Sequence, residues 1–459
     1  MKDIREDIAW AQINTDVLKS LENPRKLYWV ILFFAIALVG VAVGCEIYQY
    51  NMGLGVGNFD NPHMWGLYIA SFIFWIGMSH SGTLLSAILH LMHADWRKPI
   101  YRFAEAMTTF SLMTAGLFVA VHLGRIWQIY FALPYPNMRQ VWPNFQSPLL
   151  WDAMAIFTYL SSSILFLYIG MIPDLAICRD NMHSGWRKKL YTALSLGWEG
   201  TDRQWRNFRM TYLTIACFLI PLAVSVHSIV SNDFASSQQP GWHITSFPPY
   251  FVAGALYSGC AAIITLFIIL RYVFKFEEYM TLSILKKVAR LTFAIAMVWT
   301  YLVWVEYATA WFGNAHEHHL IIEKATGTYA PFWWMMNFCA SVVPLMLVFK
   351  RFQTNIPVLF AVSLLLNLGM YLERFMIVAP TFADGYYPWT WDHDQWPSLV
   401  QWGIVLGSFG WFTMLFMIFC KIFPSVSMYE VKEMVYHRSL ATKKLQATGE
   451  LAAAGKGAH

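Results

Sequence analysis

Several ionisable side chains lie inside segments that are otherwise apolar, and their types and spacing are suited to proton transfer. His122 and Arg125 are three residues apart, so a helix places them on one face, and Asp152 follows in the next apolar segment. A histidine beside a carboxylate accepts a proton from a hydroxyl group near neutral pH. Charges are costly inside a bilayer and therefore mark functional sites by default. We predict that His122 and Asp152 approach one another and form a proton-accepting site.

Further ionisable groups lie toward the same side of their segments. They are Glu46, His227, Asp233, Glu306, Glu373 and Arg374. The alternative interpretation is a network that holds helices together, with Arg125 or Arg374 paired to a carboxylate. His227 fits this alternative best, as a hydrogen-bonded contact between helices. The one-sided placement of the whole set favours a functional role.

A second polar set lies nearer the middle of the segments. Its members are Ser79, His80, Ser81, Thr108, Thr109, Ser111, Thr114 and residues 161–163. Such groups can carry a proton along water molecules, and the candidates for a proton path are His80, Ser81, Thr114, Glu306 and Glu373. For most of the hydroxyl groups, bonding to the backbone of their own helix is the favoured interpretation.

The segments that carry these groups are long enough to cross a bilayer. Hydrophobic residues make up 57% of the 459 residues and charged residues 13%, about half the share of a soluble domain. We predict an all-α integral membrane protein with ten transmembrane helices, at residues 27–50, 63–91, 103–131, 149–177, 207–232, 248–274, 288–312, 331–350, 355–379 and 398–422. Residues 1–26 form an N-terminal segment, with an interfacial helix in residues 3–22, the transmembrane domain covers 27–422, and a tail follows at 423–459.

The basic residues set the predicted orientation. With the N-terminus inside, 28 of the 32 Lys and Arg residues fall on the inner side, which predicts that both termini are cytoplasmic. The first apolar block has no cleavage pattern and is expected to be a retained span. The placement of the charges argues against a nucleic-acid partner.

A weak similarity between two parts of the sequence suggests an internal repeat. Ser81-Gly82 and Ser258-Gly259 lie midway along the second and sixth spans, and Trp151 and Trp333 lie early in the fourth and eighth. We predict two four-helix bundles, from spans 2–5 and 6–9, with spans 1 and 10 peripheral. Substrate sites often lie beside such repeat interfaces.

The sequence predicts no redox centre of its own. The six cysteines form no C-x-x-C pair, so neither a haem c nor an iron–sulfur cluster is expected. His122 and His227 leave a bis-histidine haem open as a lesser alternative. His316 to His319, with Glu317, are expected to lie in a solvated outer loop.

Several motifs resemble the polysulfide reductase membrane-subunit family, also called NrfD/PsrC-like. They are His122-Leu123-Gly124-Arg125, Ser147-Pro148-Leu149-Leu150-Trp151-Asp152 and Ile172-Pro173-Asp174-Leu175-Ala176. Ten spans and further segments look more like the integral subunits of alternative complex III, and more like ActC than ActF. These segments are residues 75–83, 134–137, 240–243 and 247–251, with Glu373-Arg374-Phe375.

The resemblance implies a quinol-oxidising subunit of the bacterial inner membrane, with quinone or menaquinone as its substrate. His122 and Asp152 would contact the quinol hydroxyl, and the groups lining or supporting the site would be Ser79, Arg125, Trp151, Asp233 and Arg374. The implied partners are a periplasmic iron–sulfur or molybdopterin-like subunit, haem c subunits and a paralogous membrane subunit. The alternatives are a non-catalytic scaffold or proton-path subunit of the same assembly, and a stand-alone transporter.

Overall fold

The computed structural model describes most of the chain. The described residues are 10–59, 65–132, 148–182, 184–237, 239, 241–242, 244–383, 396–437 and 439–440. Ten of the helices in this part are long and apolar enough to cross a membrane, which confirms an all-α integral membrane protein. The predictions for residues 134–137, the intact segment 240–243 and the tail beyond residue 440 lie outside the described residues.

Fourteen helices follow one another in this part of the chain. They are α1 (Trp10–Glu22), α2 (Lys26–Met52), α3 (Leu67–Leu91), α4 (Tyr101–Leu123), α5 (Pro148–Asn181), α6 (Trp186–Leu194), α7 (Asp202–Ala235), α8 (Phe247–Val273), α9 (Leu282–Trp311), α10 (Ala315–Thr326), α11 (Ala330–Asn337), α12 (Ile356–Ala383), α13 (Leu399–Ile422) and α14 (428–437). The spans are α2, α3, α4, α5, α7, α8, α9, α11 with its continuation, α12 and α13.

The eighth span changes its helical form along its length. α11 continues as a π-helical turn at Phe338–Val342 and a 3-10 segment at Val343–Val348, to complete the span Ala330–Val348. Pro344 lies at the start of the 3-10 segment. A proline has no backbone N–H and its ring clashes with the preceding turn, which explains the departure from regular α-helix here.

Two four-helix bundles pack in the same way. In the first bundle, α3 contacts α4 and α7, and in the second, α8 contacts α9 and α12. The bundles meet where α3 packs on α8, and this interface is reciprocal because α7 also contacts α8 while α12 contacts α3. The grouping of spans 2–5 and 6–9 agrees with these contacts.

The two Ser-Gly pairs, Ser81-Gly82 and Ser258-Gly259, lie at two different close contacts between helices. A Cβ at Gly82 would collide with the backbone of Ala104 in α4, inside the first bundle. A Cβ at Gly259 would collide with Ser81, so this glycine brings the two bundles together. Small residues at such contacts are typical of helix packing in membranes.

The first and last spans pack on each other outside the bundles. α2 and α13 are paired along their length, with Gly407 against Ala42 and Gly410 against Leu38 and Ala35. Most of the side chains of α2 are exposed. This exposure fits the peripheral position predicted for the first span.

Two of the sequence-based expectations about secondary structure need correction. The helix predicted for 103–131 ends at Leu123, because Gly124 has a φ of 65° and a 3-10 segment, Ile126–Ala132, follows. The sequence predicts a loop at 316–319, but this stretch lies in α10, which Asn314 caps by accepting hydrogen bonds from the N–H groups of His316 and Glu317.

At the N-terminus, α1 buries several apolar side chains and contacts α13.

Candidate functional site

Two aspartates from neighbouring helices form a carboxyl pair in the first bundle. Asp152 lies in the second turn of α5 and Asp233 in the last turn of α7, and their side chains are within hydrogen-bonding range of each other. Asp152 is 6% exposed. A hydrogen bond between two carboxyl groups requires that one of them is protonated, so this pair is suited to share a proton. Each residue also keeps a buried Oδ1 that has no hydrogen-bond partner among the described residues.

His122 does not join this pair. Its ring packs edge-on against Phe59, with the centroids 5.7 Å apart, and Phe59 packs in turn on Tyr68. Within the described ranges, neither a hydrogen bond nor an ion pair connects His122 to Asp152, and the buried Nδ1 of His122 has no partner. The described contacts place Asp152 against Asp233 of α7 and His122 against Phe59, so the approach of His122 to Asp152 stays a prediction.

An apolar groove between α5 and α7 extends from the region of the carboxyl pair. Its volume is about 380 Å³, and its lining is formed by Leu150, Trp151, Met154, Ala155, Thr158, Leu222, Ser225, Val226 and Ile229. Ala155 is three residues from Asp152, and Ile229 is four residues from Asp233, so groove and carboxyl groups share the same helical faces. Trp151 is 41% exposed and forms part of the wall. The groove is mainly apolar, and the carboxyl groups lie one helical turn from its lining residues without belonging to that lining.

Two histidines lie in the core beyond this groove. The rings of His80 and His227 are 4.6 Å apart, and His80 also stacks on Tyr159 at 4.7 Å. Both histidines are fully or almost fully buried, and His80 Nε2 and both nitrogens of His227 lack hydrogen-bond partners among the described residues. The expectation that His227 forms a hydrogen-bonded helix contact is therefore not met. His227 also lies beside His80 rather than His122, so the bis-histidine alternative gains no geometric support.

Arg374 lies between the two bundles. Its guanidinium donates a hydrogen bond to Glu373 at 2.8 Å and sits over the ring of Phe251 at 4.9 Å. The second terminal nitrogen, Nη2, is buried without a hydrogen-bond partner in the described part of the chain. A Cβ at Gly254 would lie 2.7 Å from this nitrogen, so the glycine leaves room for the guanidinium. The predicted pairing of Arg374 with a carboxylate is present.

Three of the remaining predicted residues lie apart from the carboxyl pair. Arg125 is exposed in the turn after α4, and Glu46 accepts a hydrogen bond from Gln49 of its own helix. Ser79 is buried and donates to the carbonyl of Ile76, 2.6 Å away. These contacts do not connect the three residues to the carboxyl pair.

Several hydroxyl groups of the second polar set bond within their own helix, as expected, whereas Ser81 and Thr108 of that set join helices. The residues with local bonds are Ser79, Thr109, Thr114 and Ser161. Ser81 donates to the carbonyls of Ala255 and Leu256 in α8. Thr108 donates to the carbonyl of Ser79 at 2.6 Å and accepts from the N–H of Thr83 at 2.8 Å, which links α4 to α3.

Sequence reasoning misses a buried network at the opposite end of the first bundle. Glu105 accepts hydrogen bonds from Ser86 at 2.7 Å and Tyr212 at 2.8 Å, and it is fully buried. Arg102 forms a fully buried ion pair with Asp174 at 2.8 Å. The signal is present in the three-residue spacing of Arg102 and Glu105. It is easily overlooked because charges at a helix start resemble interfacial residues.

The network continues to the last described helix. Arg97 pairs with Glu430 of α14 at 2.8 Å and lies 2.7 Å from His90 Nδ1. The N–H of Tyr429 donates to Asp174. Burial raises the pKa of the Glu430 carboxyl, against the lowering effect of Arg97 and Lys98. α14 therefore covers this end of the bundle through buried polar contacts.

Comparison with known proteins gives a family match over most of the chain. The family described as polysulphide reductase, NrfD, matches residues 55–383. This range covers the two bundles and includes both aspartates of the carboxyl pair.

Three relatives extend the match. A protein of Halobacterium salinarum, provisionally named as a membrane subunit of dimethyl sulfoxide reductase, is 26% identical over 74% of each chain. A subunit of the selenate reductase of Mesobacillus selenatarsenatis is 25% identical, over 87% of this chain and 94% of the relative. The Hdr-like menaquinol oxidoreductase integral membrane subunit of Archaeoglobus fulgidus is 20% identical, over 91% and 98%.

Proposed function

The chain belongs to the NrfD family, and from this premise we propose that it is the quinol-binding membrane subunit of a respiratory oxidoreductase. The quinol is a menaquinol or a related quinol. It loses two electrons to the redox centres of a partner subunit and two protons to side chains of this chain. The name of the archaeal relative, which includes menaquinol oxidoreductase, is in keeping with this substrate class.

The observation that carries the proposal is the apolar groove that shares its helices, α5 and α7, with the carboxyl pair. A quinol has a polar head with two hydroxyl groups and an apolar isoprenoid tail, so the groove suits the tail and the neighbouring carboxyl pair suits the head. The buried Oδ1 atoms of Asp152 and Asp233 are free acceptors for a hydroxyl donor. Binding pockets commonly combine an apolar lining with a few polar groups in this way.

The carboxyl pair supplies the proton chemistry of the proposal. One carboxylate oxygen accepts a hydrogen bond from the quinol hydroxyl and takes its proton as the electrons leave, while the second carboxyl group holds the first in place. His122 stays the proposed acceptor of the second proton, and Arg125, Ser79 and Arg374 stay proposed supporting residues. The proposed proton path from the site uses His80, Ser81, Thr114, Glu306 and Glu373.

The proposed assembly follows the resemblance to alternative complex III. The partners are a periplasmic iron–sulfur or molybdopterin-like subunit, haem c subunits and a paralogous membrane subunit, in the bacterial inner membrane. The carboxyl pair then faces the periplasm, because 28 of the 32 basic residues lie on the other side when both termini are cytoplasmic. A periplasmic reporter fused at Gly455 is expected to be inactive, and strong reporter activity would reverse this orientation.

The function is tested by quinol-dependent reduction of the partner's redox centres in assembled complexes. Asp152→Asn, Asp233→Asn and His122→Ala should each slow this reduction, and His319→Ala, in α10, serves as the control. Removal of a general base lowers rates by typically 10²–10⁴-fold. If all three variants assemble and reduce the centres at the wild-type rate, this subunit does not oxidise quinol.

The second candidate is a non-catalytic paralogous subunit of the same complex. It is favoured by the separation of His122 from the carboxyl pair, since these groups do not form one hydrogen-bonded site among the described residues. The same measurement separates the candidates, because a scaffold or proton-path subunit keeps quinol-dependent reduction when Asp152 is changed.

A further inference from the structure

The second bundle contains a small cavity lined by acids, aromatic rings and a lysine. Its volume is about 10 Å³, and its lining residues are Tyr250, Glu306, Tyr307, Lys324, Trp333, Met336, Glu373, Met376 and Ile377. A cavity of this size holds about one water molecule if it offers polar partners. The carboxyl of Glu306, the ammonium of Lys324 and the indole N–H of Trp333 are such partners.

Three polar side chains that line this cavity, Glu306, Lys324 and Trp333, are more than nine-tenths buried. Glu306 and Lys324 are each 8% exposed, yet neither side chain makes a hydrogen bond or an ion pair with any described residue. Trp333 Nε1 is buried and also lacks a partner in the described structure. Burying a charged side chain costs free energy unless it is paired or hydrogen-bonded. A water in the cavity would satisfy these groups together.

The cavity occupies helices that correspond to those of the first site. α9 packs on α8 as α4 packs on α3, and α12 packs on α8 as α7 packs on α3. Glu306 is near the end of α9, as His122 is near the end of α4, and Glu373 is on α12, the counterpart of the helix that carries Asp233. Lys324 has no counterpart in this comparison of the two bundles. It comes from α10, which joins α9 to α11.

We propose that Glu306 and Lys324 form a second proton-exchange site, in which a water in the cavity connects the two side chains and the site exchanges a proton with the aqueous phase beside α10. The ligand class is a single water or hydronium, since the cavity is too small for a quinol head. The site adds Lys324 and a bound water to the proton path proposed above and rests on that function, whereas its test measures the protonation of Lys324 and not quinol oxidation. Its net reaction moves one proton between Lys324, the water and Glu306.

The charges around Glu306 come from each element packed against it. They are Lys324 from α10, Glu373 and Arg374 from α12, Tyr250 from α8 and its neighbour Tyr307. Glu373 and Arg374 form an ion pair with each other, so Lys324 is the cation whose charge Glu306 balances. Burial lowers the pKa of Lys324, and the Glu306 carboxylate acts in the opposite direction. Loss of that carboxylate should therefore allow Lys324 to release its proton at lower pH.

The test measures the protonation of Lys324 in the intact complex. Trace acylation by acetic anhydride is followed over a pH series, and mass spectrometry gives the modified fraction of Lys324. In the wild type, Lys324 should become reactive at a lower pH than an exposed lysine. In Glu306→Gln the pH at which half of Lys324 reacts should fall by about one further unit. At a fixed pH below both midpoints, this is about a tenfold rise in the reactivity of Lys324.

Glu323→Gln is the matched control, because Glu323 is adjacent to Lys324 on α10 but is exposed and does not line the cavity. Its midpoint should equal that of the wild type. If Glu306→Gln also leaves the midpoint unchanged, the two side chains do not share a site and the proposal is wrong. Reactivity like that of an exposed lysine contradicts the buried site, and a Lys324 that is never acylated contradicts exchange with the aqueous phase. None of these outcomes depends on quinol oxidation.

Discussion

The two bundles share one packing plan but present different spaces between their helices. In the first bundle a groove of about 380 Å³ opens between α5 and α7 near the carboxyl pair. In the second bundle a cavity of about 10 Å³ lies between α8, α9, α11 and α12. The same scaffold can therefore hold an amphiphile in one half and about one water molecule in the other.

The burial of the large lining side chains differs between the two spaces. Trp151 and Met154, which line the first, are 41% and 46% exposed, whereas Trp333 and Met336 line the second. Trp333 and Met336 are also more than nine-tenths buried, so their bulk fills the interior of the second bundle. The chemistry at each site follows from the few groups that line the remaining volume.

The largest expected contrast between the bundles is in the rate of quinol oxidation. Asp152→Asn removes the proposed acceptor and should lower the rate by about 10²–10⁴-fold, whereas Thr292→Val, on α9 of the second bundle, should leave it within about twofold. The measurement is steady-state quinol oxidation by complexes with equal partner content. Equal losses in the two variants would mean that both bundles belong to one catalytic path and do not differ in function.

The sequence is sufficient to predict where the spans lie, but it is insufficient to predict which residues of different spans contact each other. Apolar length alone locates the ten helices of the described ranges that are long enough to cross a membrane, because a bilayer imposes that length on any span. It does not reveal that Asp152 faces α7, since the rotation of α5 depends on packing against helices far along the chain. Asp233 is expected at the site only through the family resemblance, and no motif points to its pairing with Asp152.

Buried charges near helix ends are the other weakness of sequence reasoning. Arg102 and Glu105 lie in the first turns of α4, where charges usually face water, but both are fully buried. Lys324 lies between the predicted spans 288–312 and 331–350, where the sequence indicates no burial, whereas it lines the cavity of the second bundle from α10. In each case tertiary packing, which a single sequence does not display, decides whether a charge at a span end is solvated.

The next contrast concerns the close helix contacts inside the first bundle. Gly82→Ala should destabilise the protein by about 1–3 kcal/mol, because the new Cβ would collide with the α4 backbone at Ala104. Gly116→Ala is the control on α4, since a Cβ added there meets no atom within 4 Å and alanine favours helix. Thermal unfolding of the purified complexes measures both. Equal midpoints would show that α3 and α4 are not packed as closely as described.

The groove gives a smaller but more specific effect. Ala155→Phe fills part of the apolar lining and should raise KM for a long-tailed quinol by about tenfold, or roughly 1.4 kcal/mol, with little change in kcat. The control is Leu165→Phe, which places the same ring at an exposed position of α5 outside the lining. A fall in kcat at unchanged KM would instead place the substrate away from the groove.

The smallest expected contrast compares one substitution in the two bundles. Thr108→Val removes two hydrogen bonds that join α4 to α3, whereas Thr292→Val removes one bond from Thr292 to the carbonyl of Val288 in its own helix. Both threonines are fully buried and the change of shape is the same. Interhelical hydrogen bonds in membranes contribute about 0.6 kcal/mol each on average, so Thr108→Val should cost about 1 kcal/mol and Thr292→Val less. The unfolding midpoints of the two variants give the comparison. If Thr292→Val lowers the unfolding midpoint more than Thr108→Val does, hydrogen bonds between helices do not distinguish the two bundles. The two bundles would then differ only in the residues that line their cavities.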